Sequence, residues 1–202
     1  MKEHEFFYRK LHSILGVIPI GAFLIQHFMI NYFAVYGEAQ FNQAVKVVES
    51  LPFLLFLEIF LIYIPILYHG VLGVYIATRS KNNPIRYGYV RNWLFYAQRV
   101  TGIITFLFIL WHVYETRIRV GLGLEQLNFE LMEHILMTPV MLIIYVIGIL
   151  STTFHFANGL WSFLITWGIT QSPKSQRMST YVVMFIFLVM SYIGIRALFS
   201  FV

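Results

Sequence analysis

Five stretches of the chain are almost wholly apolar, and polar or amphipathic connectors separate them. They run from Leu11 to Phe33, Phe53 to Ala77, Trp93 to Tyr114, Leu136 to Trp161 and Met178 to Phe201. Each reaches the roughly 20 residues that a helix needs to cross the hydrocarbon core of a bilayer. A membrane span must satisfy its own backbone hydrogen bonds, so the pattern predicts an all-α membrane protein with five transmembrane helices. Residues 1–202 are expected to form a single integral membrane domain, with no internal repeat or soluble module. Two connectors carry helical periodicity. Phe41, Ala44, Val45, Val48 and Leu51 share one face, as do Leu124, Leu127, Leu131 and Ile135, and both segments are expected to lie in the interface plane. The other two connectors, TRSKNNPIRYGYVRN and TQSPKSQR, are polar and basic.

Charge gives the spans a direction. Lys2, Arg9, Lys10, Arg79, Lys81, Arg86, Arg91, Arg99, Lys174 and Arg177 fall on one side, and only Lys46, Arg117, Arg119 and Arg196 on the other. The positive-inside rule therefore predicts a cytoplasmic N-terminus and a C-terminus outside. The opening decapeptide MKEHEFFYRK is polar and runs into a full-length span without a small-residue cleavage site, so no signal peptide is expected.

Composition narrows the chemistry. The chain is 59% hydrophobic and 11% charged, with a net charge of +5 and a mean hydropathy of +0.73. It has no cysteine, which excludes disulfides, thiolate metal sites and an iron–sulfur cluster of its own. The span from Phe53 to Ala77 carries two ionisable groups, Glu58 and His69. Eleven residues at about 100° and 1.5 Å each place them on nearly one face, roughly 16 Å apart in depth. Intramembrane ionisable groups point to function.

There are seven histidines. His4, His12 and His134 read as interfacial or solvated. His27, His69, His112 and His155 fall one each in spans one to four, and the fifth span has none. With alternating span direction, His27 and His112 lie toward the outer ends, while His69 and His155 lie toward the inner ends. A lone intramembrane histidine is commonly just hydrogen-bonded to a neighbouring helix. Two pairs matched in depth instead fit axial ligation of low-spin haem iron inside a four-helix bundle, with the fifth helix outside it. Zinc would require three or four ligands per site, which neither pair supplies. Gly73 and Gly159 each follow a histidine by four residues. Gly16 shares the His27 face at inner depth, and such glycines let a flat macrocycle approach the backbone. Arg9 and Ser13 on the His27 face, with Arg99 off the His112 face, are candidates for haem propionates or a quinone, or else plain inner-side anchors.

These residues resemble those of the dihaem cytochrome b558 anchors of Bacillus-type succinate:menaquinone oxidoreductases. The likeness covers nearly the whole chain and is carried by FYRKLHSILGVIPIGAFLIQH, SLPFLLFLEIF, YHGVLGVYIA, RNWLFYAQRVTGIITFLFILWHVYETR and STTFHFANGLWSFLITWGIT. The resemblance implies two haem b groups in a bacterial cell membrane, His69 and His155 on the inner, high-potential one and His27 and His112 on the outer, low-potential one. It implies a flavoprotein subunit and an iron–sulfur subunit on the cytoplasmic face, besides the lipid bilayer, and no nucleic acid. Electrons from succinate would pass through both haems to menaquinone, with Glu58 a candidate for quinone protonation at the outer site. The same wiring serves a quinol:fumarate reductase anchor. Two other classes compete: a proton-coupled transporter without haem, which would favour inverted repeats or broken helices, and a haem b carrier with no soluble partner.

Overall fold

The structure, a computed structural model, describes residues 2–202, with side chains from His4 onward; the Lys2 side chain, assigned above to the inner side, lies outside them. Five helices are long and apolar enough to cross a membrane: His4–Tyr36, Leu54–Arg79, Val90–Gly121, Pro139–Thr166 and Pro173–Leu198. They are called the first to fifth spans, and the end bearing the N-terminus is called inner. The first and third exceed the apolar stretches by a turn or more, because polar residues of the flanking connectors continue the helix. Two begin with a proline at the first turn, behind the hydroxyl caps of Thr138 and Ser172. Proline suits that position because its missing N–H would have had no partner there.

Three departures from a plain α-helix matter for function. The first span breaks at Ile18, where Pro19 can donate no bond to the preceding turn and starts a second helical segment. The second span contains a π-helical turn over Glu58–Tyr63, and the third contains one over Tyr114–Ile118. A π turn adds one residue to the register, so Glu58 is rotated by about 100° from where uninterrupted α periodicity places it relative to His69. Both side chains nevertheless line one cavity, together with Ile62 and Ile66 between them.

The fourth span is the hub. It packs along the third and the fifth and meets the inner half of the first. The contact with the fifth span is built from small polar residues that let backbones approach. Thr153, fully buried, meets Ser191 at 2.8 Å. The inner half of the first span leans on the second and fourth spans, and its outer half on the fifth.

The two amphipathic connectors form helices over Glu38–Glu49 and Phe129–Leu136. Their apolar faces turn to protein rather than along the interface. Phe41, Val45, Leu131 and Ile135 are buried in one cluster with Tyr145, Leu198 and Phe201 at the outer end of the bundle. Leu51 and Leu124, placed on the same faces by periodicity, are exposed. The connectors thus cap the bundle, because the outer ends of the fourth and fifth spans offer them an apolar surface.

Candidate functional site

The structure brings the four intramembrane histidines together as two pairs. The rings of His69 and His155 have centroids 6.0 Å apart. Those of His27 and His112 are 5.8 Å apart. Both pairs meet nearly edge-on, at interplanar angles of 86° and 78°. A metal–imidazole bond is about 2.0–2.1 Å long and the ring centre lies about 1 Å further back, so two rings on opposite sides of one metal ion stand about 6 Å apart. Among the described residues no group of three or more metal-binding side chains converges.

The inner pair is fixed by backbone. His69 Nδ1 lies 2.9 Å from the carbonyl oxygen of His12, and His155 Nδ1 lies 3.1 Å from that of Gln98. Each Nδ1–H donates to a carbonyl, which leaves each Nε2 with its lone pair, as a metal ligand requires. Room for the rings comes from glycine four residues beyond each acceptor. A Cβ on Gly16 would strike the His69 ring, with Nδ1 at 2.7 Å, and one on Gly102 would lie 2.7 Å from His155 Cε1. The arrangement is reciprocal. Gly73 faces His12 Nε2 and Gly159 faces the Gln98 amide, both at 3.1 Å from where a Cβ would stand. Gly73 and Gly159 therefore make room for the partner span's side chain, beside the approach to a macrocycle that the sequence suggested for them.

His12 is corrected from a solvated residue to a member of the inner layer. It is half-buried and its ring stacks on His69 at 3.9 Å. Its Nε2 and the Nε of Arg99 are buried without a hydrogen-bond partner among the described residues. Both face an inner cavity of about 400 Å³, which Arg9, Ser13 and the two inner histidines also line. Arg9 is exposed and paired with Glu5 at 2.9 Å, so its charge is already neutralised. Arg99 belongs to the inner layer and bonds Asn82 at 2.5 Å. Two orphaned donors beside paired imidazoles fit a group that combines iron with carboxylates, which is the chemistry of a haem.

Side chains rather than backbone hold the outer pair. His112 Nδ1 lies 3.2 Å from the Tyr145 hydroxyl, and the Asn31 amide approaches the His27 ring at 3.3 Å. Glu58 does not snorkel from the start of its helix. Its Oε2 accepts from Arg117 Nη2 at 2.8 Å and Nε at 3.2 Å. Both side chains are largely shielded, Glu58 14% and Arg117 30% exposed. Each sits in one of the two π turns. Glu58, Arg117, Asn31 and the two outer histidines line a second cavity of about 350 Å³, which reaches inward as far as His69 and His155 and lies within the range of small-molecule sites. His134 and His4 are exposed.

Sequence reasoning missed His12, Gln98 and Arg117. The first two carried a signal. His12, His69, Gln98 and His155 are each followed four residues later by glycine, and these four positions are the ones that interlock. Arg117 was implied by Glu58 itself, since a carboxylate at membrane depth needs a partner.

An all-α membrane bundle with imidazole pairs at two depths defines a membrane-embedded electron carrier of the cytochrome b class. Residues 81–194 match the family described as succinate dehydrogenase/fumarate reductase transmembrane subunit, and the chain belongs to that family. It is 58% identical over 198 residues, 98% of each chain, to the succinate dehydrogenase cytochrome b558 subunit of Bacillus subtilis (strain 168). Its class is accordingly that of a multi-pass membrane anchor and electron-transfer subunit in a succinate dehydrogenase complex, an oxidoreductase with flavoprotein and iron–sulfur subunits.

Proposed function

We propose that this subunit receives electrons on the cytoplasmic side and delivers them to menaquinone at the outer side, through two haem b groups held by His69 with His155 and by His27 with His112. The observation that carries the reading is the pair of imidazole separations, 6.0 and 5.8 Å, at two depths of one bundle. When bound, each haem supplies a one-electron carrier, and the two together span the membrane.

The remaining roles belong to side chains of this chain. His12 Nε2, Arg99 and Ser13 offer donors to the carboxylates of the inner group, and Arg9 joins them only by leaving Glu5. Reduction of a quinone to a quinol takes up two electrons and two protons. Glu58 passes protons to it in this reading, which its place on the cavity lining beside His27 and His112 supports. Arg117 binds only its Oε2, and Oε1 accepts no hydrogen bond among the described residues. The proton is carried on Oε1. The N-terminus faces the cytoplasm in this reading, and ion pairing supports it. Arg117 and Arg119 on the outer side are matched by Glu58, Glu115 and Glu125. Among the described residues, unpaired basic residues are more numerous on the inner side, with Arg79, Lys81, Arg86, Lys174 and Arg177 among them, against Lys46 and Arg196 on the outer side.

A redox titration of the membrane haems with His27→Ala and His69→Ala tests the assignment. The expected result is that each substitution removes a different haem. Loss of the same haem in both variants sinks the two-layer reading.

A further inference from the structure

Beyond its bond to the Gln98 carbonyl, His155 stands at the end of a polar chain that the electron path above does not use. Gln98 closes a clamp on it: its amide nitrogen donates to the His155 carbonyl at 3.0 Å, while its own carbonyl receives the ring Nδ1–H. Asn158, buried, donates to Gln98 Oε1 at 2.7 Å and to the Leu94 carbonyl at 3.2 Å. Arg91 Nη1 reaches Asn158 Oδ1 at 3.4 Å and its Nη2 donates to Thr180 at 3.0 Å. The guanidinium lies 3.5 Å over the ring of Trp161, whose indole N–H is tied to the Gln176 carbonyl at 3.1 Å. Three spans thus converge on one histidine, and a fixed positive charge sits at the far end. Among the described residues His69 has no such chain; it is backed by the carbonyl and the stacked ring of His12.

We propose that Arg91, Asn158 and Gln98 are positioning residues for His155, which lock its ring as a ligand and raise the reduction potential of the inner haem. The proposal rests on the assignment of His155 to that haem. The hydrogen bonds fix the ligand, and the cation gives the sign, since it outweighs the opposite pull of a more basic imidazole. Orienting hydrogen bonds to a ligand's second nitrogen set the ligand's geometry and donor strength. A cation held near an iron centre favours the form with one fewer positive charge, which is the reduced one. Gln98 has its backbone carbonyl on Nδ1–H, and its side chain is held rigid by Asn158. Asn158 in turn is held by Arg91, which stacks on Trp161.

The test is a potentiometric titration of the assembled complex, following both haems by optical spectrum and by low-spin electron paramagnetic resonance. Asn158→Ala and Arg91→Gln should each shift the reduced-to-oxidised ratio of the inner haem about tenfold toward oxidised at a fixed potential, the size of one hydrogen bond's net contribution. Tenfold corresponds to about 59 mV for one electron. The outer haem should keep its potential. Arg91→Lys keeps the charge and should recover most of the shift, while the resonance of the inner haem stays altered. If Arg91→Gln, with both haems bound, leaves the inner potential and resonance as in the parent, the proposal is overturned, whatever Asn158→Ala does to folding. His155→Ala separates this from the underlying assignment: a retained inner haem there refutes the ligand pairing itself.

Discussion

The two imidazole pairs span almost the same distance, yet they are held in opposite ways. At the inner level each Nδ1 meets a helix carbonyl, and a glycine four residues on lets the ring reach it. A carbonyl in a transmembrane helix cannot rotate, so these rings have one orientation. At the outer level the supports are a tyrosine hydroxyl and an asparagine amide, beside an ion pair that touches one carboxylate oxygen. Side-chain supports can move. The comparison separates a level built to hold a ligand set still from one that can rearrange when a mobile substrate arrives and protons must be handed on.

The largest expected effect is at the rigid level. Gly102→Ala places a methyl group against the His155 ring with no room to yield, and should abolish the inner haem's optical band while the outer band survives. Loss of the outer band instead would reverse the comparison. Next is Glu58→Gln, which removes the proton carrier but keeps the side chain's shape. Menaquinone reduction should fall by about 10²-fold, the lower range of a general acid–base contribution, with both haems spectrally intact. Unchanged turnover and pH dependence would remove Glu58 from the chemistry. The smallest is Tyr145→Phe. It deletes a single hydrogen bond to His112, of about 1 kcal/mol, and should shift the outer haem's potential slightly without changing haem content. A large loss of the outer haem would mean that this level is as rigid as the inner one.

Much of this architecture is legible in the chain. Span number and the pairing of the histidines at two levels follow from hydropathic length and the alternation of successive spans. Partners across the bundle are less legible, because they depend on helix rotation. Gln98 and His155 are 57 residues apart, and the glycine four residues after each marks a close approach without saying which helix approaches. The two π turns carry no composition of their own; Glu58–Tyr63 reads as plain apolar helix, yet it decides that Glu58 meets Arg117. The connecting helices were legible as amphipathic, but periodicity cannot distinguish a lipid surface from a protein surface beneath the apolar stripe.

A π turn is in effect a one-residue insertion stored inside a continuous helix. Removing one residue between Glu58 and Tyr63 would restore α geometry and swing the beginning of the second span through about 100°. His69 and everything inward would keep its place, because its neighbours fix it from the other side. The same reasoning applies to the third span, where the turn over Tyr114–Ile118 lies beyond His112. The chain therefore carries two points at which a single insertion or deletion re-aims the outer site and leaves the inner one untouched. A lineage could exchange one membrane electron acceptor for another by such a step, without rebuilding the end that receives electrons.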